Sequence, residues 1–98
     1  KVEVKLEIGA DKDFNIGAAY PNPFNPTTVV PLNLAKDAAV RATLYDLRGH
    51  AVKELMNGDL SAGSHALRID GSDLSTGIYF VHVLVNGVMQ VRKIALIK

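Results

Sequence analysis

The sequence predicts an all-β fold, an antiparallel β-sandwich of about seven strands without a disulfide. Three observations carry this expectation. Short runs rich in branched and aromatic residues recur at roughly 8–12-residue spacing, separated by turn formers, as the strands of a sandwich do. Nowhere does an apolar period of 3.6 persist long enough to argue an amphipathic helix. The 98 residues contain no cysteine and no tryptophan, which removes a disulfide frame and a thiolate metal site. The antibody pattern of cysteines around a tryptophan is missing too, so the architecture is Ig-like at most.

Composition narrows the function classes. With 48% hydrophobic and 21% charged residues the chain is too apolar for disorder, and its length suits one core. A formal net charge of +1 gives no electrostatic reason to expect nucleic acid or a polybasic membrane contact. No apolar run approaches the ~20 residues that cross a bilayer, so membrane insertion is not expected. The chain opens at Lys1 with no signal peptide and reads as a piece of a longer protein.

The elements follow in order. Val2, Val4, Leu6 and Ile8 alternate with Glu3, Lys5 and Glu7, the pattern of a half-buried strand. Gly9–Asp13 is a polar break. Residues 1–13 are therefore an N-terminal strand and linker, belonging either to the same sandwich or to an upstream module, and residues 14–98 are the main domain. Phe14 and Ile16 precede the small-residue patch Gly17-Ala18-Ala19. Then comes a strap, Tyr20 to Pro26, in which Pro21, Pro23 and Pro26 fix φ and remove donors, so it is neither helix nor central strand. Its two aromatic studs, Tyr20 and Phe24, are expected to be buried, and the strap to close one edge of the domain.

Thr28, Val30, Leu32 and Leu34 form the next inward face, and Pro31 marks that strand as an edge or the margin of a bulge. Val40, Ala42 and Leu44 face inward after the Lys36-Asp37 turn. Asp46-Leu47-Arg48-Gly49 closes that strand, with Gly49 suited to a positive φ. The extended pattern resumes through Val52 and either Leu55 or Met56. A connection is expected over Asn57–Gly63, followed by a strand with His65, Leu67 and Ile69. Asp70–Gly77 is dense in turn formers. Ile78–Val85 is the most β-prone run, joined by Asn86-Gly87, a strong hairpin signal, to Val88–Ile97. In that last strand Met89 and Val91 are out of phase with Ile94 and Leu96, which predicts a bulge near Arg92-Lys93 or burial on both faces.

Catalytic chemistry has little support. His50, His65 and His82 stand singly, none at a metal-ligand spacing. Asp59, Asp70 and Asp73 lack a regular calcium loop, and turn aspartates ordinarily cap their own backbone. No phosphate loop or nucleophile elbow is present. Tyr45 is the one tyrosine expected to face outward, too few for a sugar-stacking platform, whereas Tyr79 shares the face of Val81 and Val83 and reads as core or as a tyrosine tied to backbone. No cofactor is called for.

Four blocks in order carry a resemblance: Tyr20–Pro26 with Thr27-Thr28-Val29; Leu44-Tyr45-Asp46-Leu47-Arg48-Gly49 with Val52; Ser75-Thr76-Gly77-Ile78-Tyr79-Phe80; and Arg92-Lys93-Ile94-Ala95-Leu96-Ile97-Lys98. Over about residues 14–98 the chain resembles the type A C-terminal sorting domain of the type IX (Por) secretion system of Bacteroidota. The resemblance implies an Ig-like, non-catalytic domain that follows a cargo such as a hydrolase or adhesin. It implies passage through the periplasm, recognition by the outer-membrane translocon, and a cell-surface sortase that cleaves upstream of the domain, leaving the cargo secreted or at the cell surface. The positions carried over are Pro21, Asn22, Pro23, Gly49, Val52, Gly77, Tyr79 and Lys93. Lys98 joins Lys93 in the hypothesis that the last hairpin is what the translocon reads. A monomer is expected. His65 and Ile69 stand where many members have aromatics. The other class of function is an Ig-like structural or carbohydrate-binding accessory module of a multidomain secreted enzyme.

Overall fold

The computed structural model describes residues 14–98, which form seven strands. In chain order they are β1 (Phe14–Ile16), β2 (Thr27–Leu34), β3 (Ala38–Asp46), β4 (Ala51–Leu60), β5 (Gly63–Asp70), β6 (Gly77–Val85) and β7 (Val88–Leu96). Two antiparallel sheets face each other, one ordered β1-β2-β5 and the other β4-β3-β6-β7. The chain changes sheet at β2–β3, β4–β5 and β5–β6, an order compatible with an Ig-like sandwich.

Period-2 alternation builds the core. Thr28, Val30, Leu32 and Leu34 of β2, Val40, Ala42 and Leu44 of β3, and Tyr79, Val81, Val83 and Val85 of β6 are all buried. Each fully buried Val, Leu, Ile or Phe side chain is worth about 1.5–3 kcal/mol relative to exposure. The one buried polar side chain among the described residues, Thr28, donates its hydroxyl to the carbonyl of Pro21 at 2.7 Å. The β6–β7 hairpin turns on Asn86 and Gly87 with φ of 50° and 83°, the left-handed pair that a two-residue turn requires.

The strand expected over Val2–Ile8 lies outside the described residues, and the first described strand is β1, whose three residues are too few to show a period. Several other expectations need correction. Pro31 does not mark an edge: β2 is the middle strand of its sheet. Gly17 donates to the carbonyl of Pro31 at 2.9 Å, and the return bond from Pro31, which has no N–H, is missing. The proline sits where β1 ends, so its lost donor terminates that ladder instead of interrupting one.

Asn57-Gly58 is not a connection but lies inside β4, opposite Arg41 and Val40, and only Ser61-Ala62 link β4 to β5. Met56 and Leu60 pack against the core on either side of Gly58, and holding both requires the strand to run straight through. Leu55 and Val52 are the extra residues at two register shifts along β3–β4, which is why Leu55 and Met56 are both half-buried.

β7 carries neither the bulge nor the double burial. Its register with β6 is unbroken, Ile94 and Leu96 face the core, and Met89 and Val91 are 49% and 42% exposed on the outer face. After Val88, which packs against the core, the inner phase of its first half is filled by polar side chains that reach the backbone of β1. Gln90 Oε1 accepts from the N–H of Ile16 at 3.2 Å, Gln90 Nε2 donates to the carbonyl of Phe14 at 3.3 Å, and Arg92 Nη2 donates to the carbonyl of Ile16 at 2.6 Å. These bonds close the seam between the sheets where backbone pairing is absent.

Candidate functional site

The sandwich has two unlike ends. Phe14, the β2–β3 turn, Ser61-Ala62 and the Asn86-Gly87 turn lie at one, here termed proximal because the upstream residues join there. At the other, distal end four segments meet: the strap, the Asp46–Ala51 turn, the loop between β5 and β6, and Ile97-Lys98.

The strap crosses from one sheet to the other. Tyr20 exchanges backbone bonds of 2.9 and 3.2 Å with Val29 of β2. Phe24 then runs parallel to β7, donating to the carbonyl of Ala95 at 2.9 Å and accepting from the N–H of Ile97 at 3.0 Å. Between these points the Asn22 side chain acts as a further strand residue. Its Oδ1 accepts from the N–H of Ala95 at 3.0 Å and its Nδ2 donates to the carbonyl of Lys93 at 3.3 Å. The X-Pro bonds at Pro21, Pro23 and Pro26 are cis. The two studs differ: Phe24 is 2% exposed in the core, but Tyr20 is 81% exposed, so its expected burial is wrong. The strap thus closes the side of the sandwich between β2 and β7, and it already occupies the edge of β7 around residues 93–97.

The turn and loop are held by their own polar side chains. Asp46 Oδ1 accepts from the N–H of Arg48 and of His50, both at 2.9 Å, while Gly49 adopts a φ of 89°. The bond from the His50 backbone is the main reason the Asp46 carboxyl titrates below its ordinary value. Asp70 caps Ser72 at 2.9 Å and is lowered by that bond and the Ser72 hydroxyl. Asp73 is lowered chiefly by the Lys53 ammonium, 2.9 Å away. Gly71 is where strap and loop touch. Its N–H donates to the carbonyl of Pro26 at 2.7 Å, and a Cβ there would stand 3.0 Å from Leu96 and 3.2 Å from the Phe24 ring. Tyr79, buried, donates its hydroxyl to the carbonyl of Ser75 at 2.6 Å. Lys98 is tied to the same loop, its N–H donating to Thr76 Oγ1 at 3.1 Å and its ammonium to the carbonyl of Ser72 at 2.8 Å.

Between turn and loop runs a shallow open groove whose lining includes Leu47, Arg48, Val52, Thr76, Gly77 and Tyr79. Leu47 is 69% exposed at its rim. Gly77 has no positive φ, and a Cβ there would meet nothing within 4 Å, so neither backbone nor packing demands a glycine. Pro21, Asn22, Pro23, Gly49, Val52, Gly77, Tyr79 and Lys98 therefore all come to the distal end. Lys93 lies nearby, its side chain exposed on the outer face opposite Phe80. Sequence reasoning missed Gly71, one small residue in a run of turn formers with no local sign of its close packing.

The histidines stay apart. His50 is in the distal turn, His65 Nε2 lies 2.7 Å from the carbonyl of Ser61, and His82 stacks on Tyr45 on the outer face with ring centres 4.2 Å apart. Tyr45 is accordingly half-covered, and Tyr20 is the more exposed tyrosine. Among the described residues no three His, Asp or Glu side chains are placed to hold a metal ion.

A family model described as a secretion system C-terminal sorting domain matches residues 18–98. The chain belongs to this family. It is thereby a sorting signal of the type IX secretion system, which implies contact with the secretion machinery, an upstream cargo domain, and export across the outer membrane to the cell surface or beyond. Curated proteins give no match to the chain. The span matched in this sorting domain begins at Ala18, just past β1, and takes in the whole distal end.

Proposed function

We propose that this sorting domain is a non-catalytic address that the outer-membrane translocon reads at the distal end, after folding in the periplasm and with the cargo trailing from the opposite end. A cell-surface sortase then acts upstream of the domain. The observation that carries this reading is the convergence of the strap, the Gly49 turn, Gly77 and Lys98 on the end away from Phe14, together with the unfilled space at Gly77. A glycine that neither conformation nor packing explains leaves room for an approaching partner. The folded surface suits an address, because preorganised groups lose little entropy on binding.

The last hairpin contributes Lys93 and Lys98 to this surface, but truncating it is a poor test. Removing residues 91–98 deletes Ile94 and Leu96 from the core, and a lost export signal would then report unfolding. The discriminating experiment fuses the domain to a reporter in a type IX-competent bacterium and compares Gly77→Leu with the parent. The expected result is a reporter retained in the periplasm, with the thermal midpoint of the purified domain unchanged. Surface delivery at the parental level would overturn the distal reading. No second reading gains support: Tyr20 lies on the strap and Tyr45 is stacked on His82, so among the described residues no flat aromatic platform for a carbohydrate is assembled.

A further inference from the structure

We propose that Lys53, which stands behind the distal groove and not in its lining, is a positioning residue for the export signal. Its ammonium fixes the β5–β6 loop, and with it the width of the groove that Gly77 leaves open. The inference rests on the distal end being the part that is read, and carries that reading to a side chain outside the four sequence blocks. The register of β4 is what aims Lys53. Ala51 stands opposite Tyr45, whose ring lies on the outer face. From there an unbulged strand would set Lys53 opposite Thr43, on that same outer face. Val52 is the extra residue, so Lys53 falls opposite Leu44 instead and takes the inner phase. Leu44 is fully buried, and the Lys53 side chain is only 27% exposed. From β4 in one sheet its ammonium reaches the end of β5 in the other, donating to the carbonyl of Asp70 at 3.1 Å and to Asp73 Oδ1 at 2.9 Å. The place of Val52 in the second block thereby gains a physical reason, because the residue it adds is what turns Lys53 inward.

The loop is gripped from several directions. On the strap side Gly71 donates to the carbonyl of Pro26 and the Lys98 ammonium to that of Ser72, while the Tyr79 hydroxyl holds the carbonyl of Ser75. Lys53 supplies the grip on the β4 side, where the Asp46–Ala51 turn becomes strand. Leu47, Arg48 and Val52 line one wall of the groove, and Leu74 and Thr76 line the other. A tie from β4 to Asp70 and Asp73 therefore sets the distance between the two walls. Losing the ammonium takes nothing from the hydrophobic core, but it lets the loop sample positions in which the groove is wider or narrower. A partner that requires one width then meets fewer competent molecules, and its apparent affinity falls by that fraction.

The test compares Lys53→Met, which keeps an unbranched stem, with Lys53→Arg, which keeps the cation, in the reporter fusion and in the purified chain. The Ser72 and Leu74 amides are bonded to Asp70 Oδ1 and to the Gly71 carbonyl. In Lys53→Met they should exchange up to about fivefold faster, the range of a partly exposed ion pair. Delivery to the cell surface should slow by a similar factor, with Lys53→Arg close to the parent in both measurements. Val40→Ala, a core truncation away from the groove, separates position from stability. Its thermal midpoint should fall further than that of Lys53→Met, yet its delivery should keep the parental rate. Parental delivery by Lys53→Met would overturn the proposal. So would a Lys53→Arg variant as slow as Lys53→Met, or equal slowing by Val40→Ala. Gly77→Leu, run alongside, tells two failures apart. Retention of Gly77→Leu with parental delivery of Lys53→Met removes only the role of Lys53, whereas parental delivery of both removes the distal reading and this inference with it.

Discussion

Phe24 and Tyr20 carry the same local signal, an aromatic in a proline-rich stretch, yet one is sealed in the core and the other stands in water. What separates them is the path of the strap after Pro21, which turns Phe24 under Gly71 and Leu96; no periodicity in the strap reports that path. Phe24→Ala should therefore destabilise the domain by about 3–5 kcal/mol, the cost of truncating a buried aromatic. Tyr20→Ala should change stability by less than about 0.5 kcal/mol, as surface substitutions do. Urea unfolding of the two variants checks both, and comparable losses would mean that Tyr20 is covered. Gly71 was illegible for a similar reason, since its constraint comes from residues far away along the chain. Gly49 and the Asn86-Gly87 pair, by contrast, were readable, because the turns that need them are local.

At the scale of elements, the faces of β2, β3 and β6 could be read directly because period-2 burial is a local pattern wherever a strand has the partner sheet on one face and solvent on the other. The phase of β7 could not. Its inner positions switch from Gln90 and Arg92 to Ile94 and Leu96 because the neighbour changes from the backbone of β1 to the hydrophobic core, a long-range fact. Pro31 misled for the same reason: a proline is excluded only where a ladder bond is needed, and β1 ends there. The strap's hold on β7 gives an element-level prediction. Asn22→Ala removes two hydrogen bonds to β7 while leaving Phe24 in place, and should cost about 1–3 kcal/mol. The loss should appear as faster exchange of the Ala95 and Ile97 amides, with those of β3 unaffected. Uniform acceleration over the whole domain would show instead that strap and sandwich open only together.

For the whole molecule the organising feature is polarity between its ends. Among the described residues the three carboxyls held below their ordinary value, Asp46, Asp70 and Asp73, all sit at the distal end. Their folded pKa values lie below the reference of 3.8, so their contribution is fully present above about pH 4 and fades as pH falls through the folded values. Acid should thus loosen the Asp46–Ala51 turn and the β5–β6 loop before the proximal end, which residue-resolved spectra recorded from pH 5 down to pH 2 would show. Loosening that begins at the Asn86-Gly87 turn would contradict this assignment. The same polarity makes a prediction about export. A flexible ten-residue insertion at Asn86-Gly87 and one at Arg48-Gly49 lengthen comparable β-hairpin turns, and each should cost roughly 1–2 kcal/mol in loop closure. Their stabilities should therefore be similar. Their effect on sorting should not be, because the first lies at the proximal end with Phe14 and the second stands over the groove lined by Leu47, Val52 and Gly77. A reporter carrying the proximal insertion should reach the cell surface, and one carrying the distal insertion should remain behind the outer membrane. Equal delivery of the two, at matched thermal midpoints, would mean that the translocon reads something other than the distal end, and the exposed outer face of β6 and β7 would become the surface to test next.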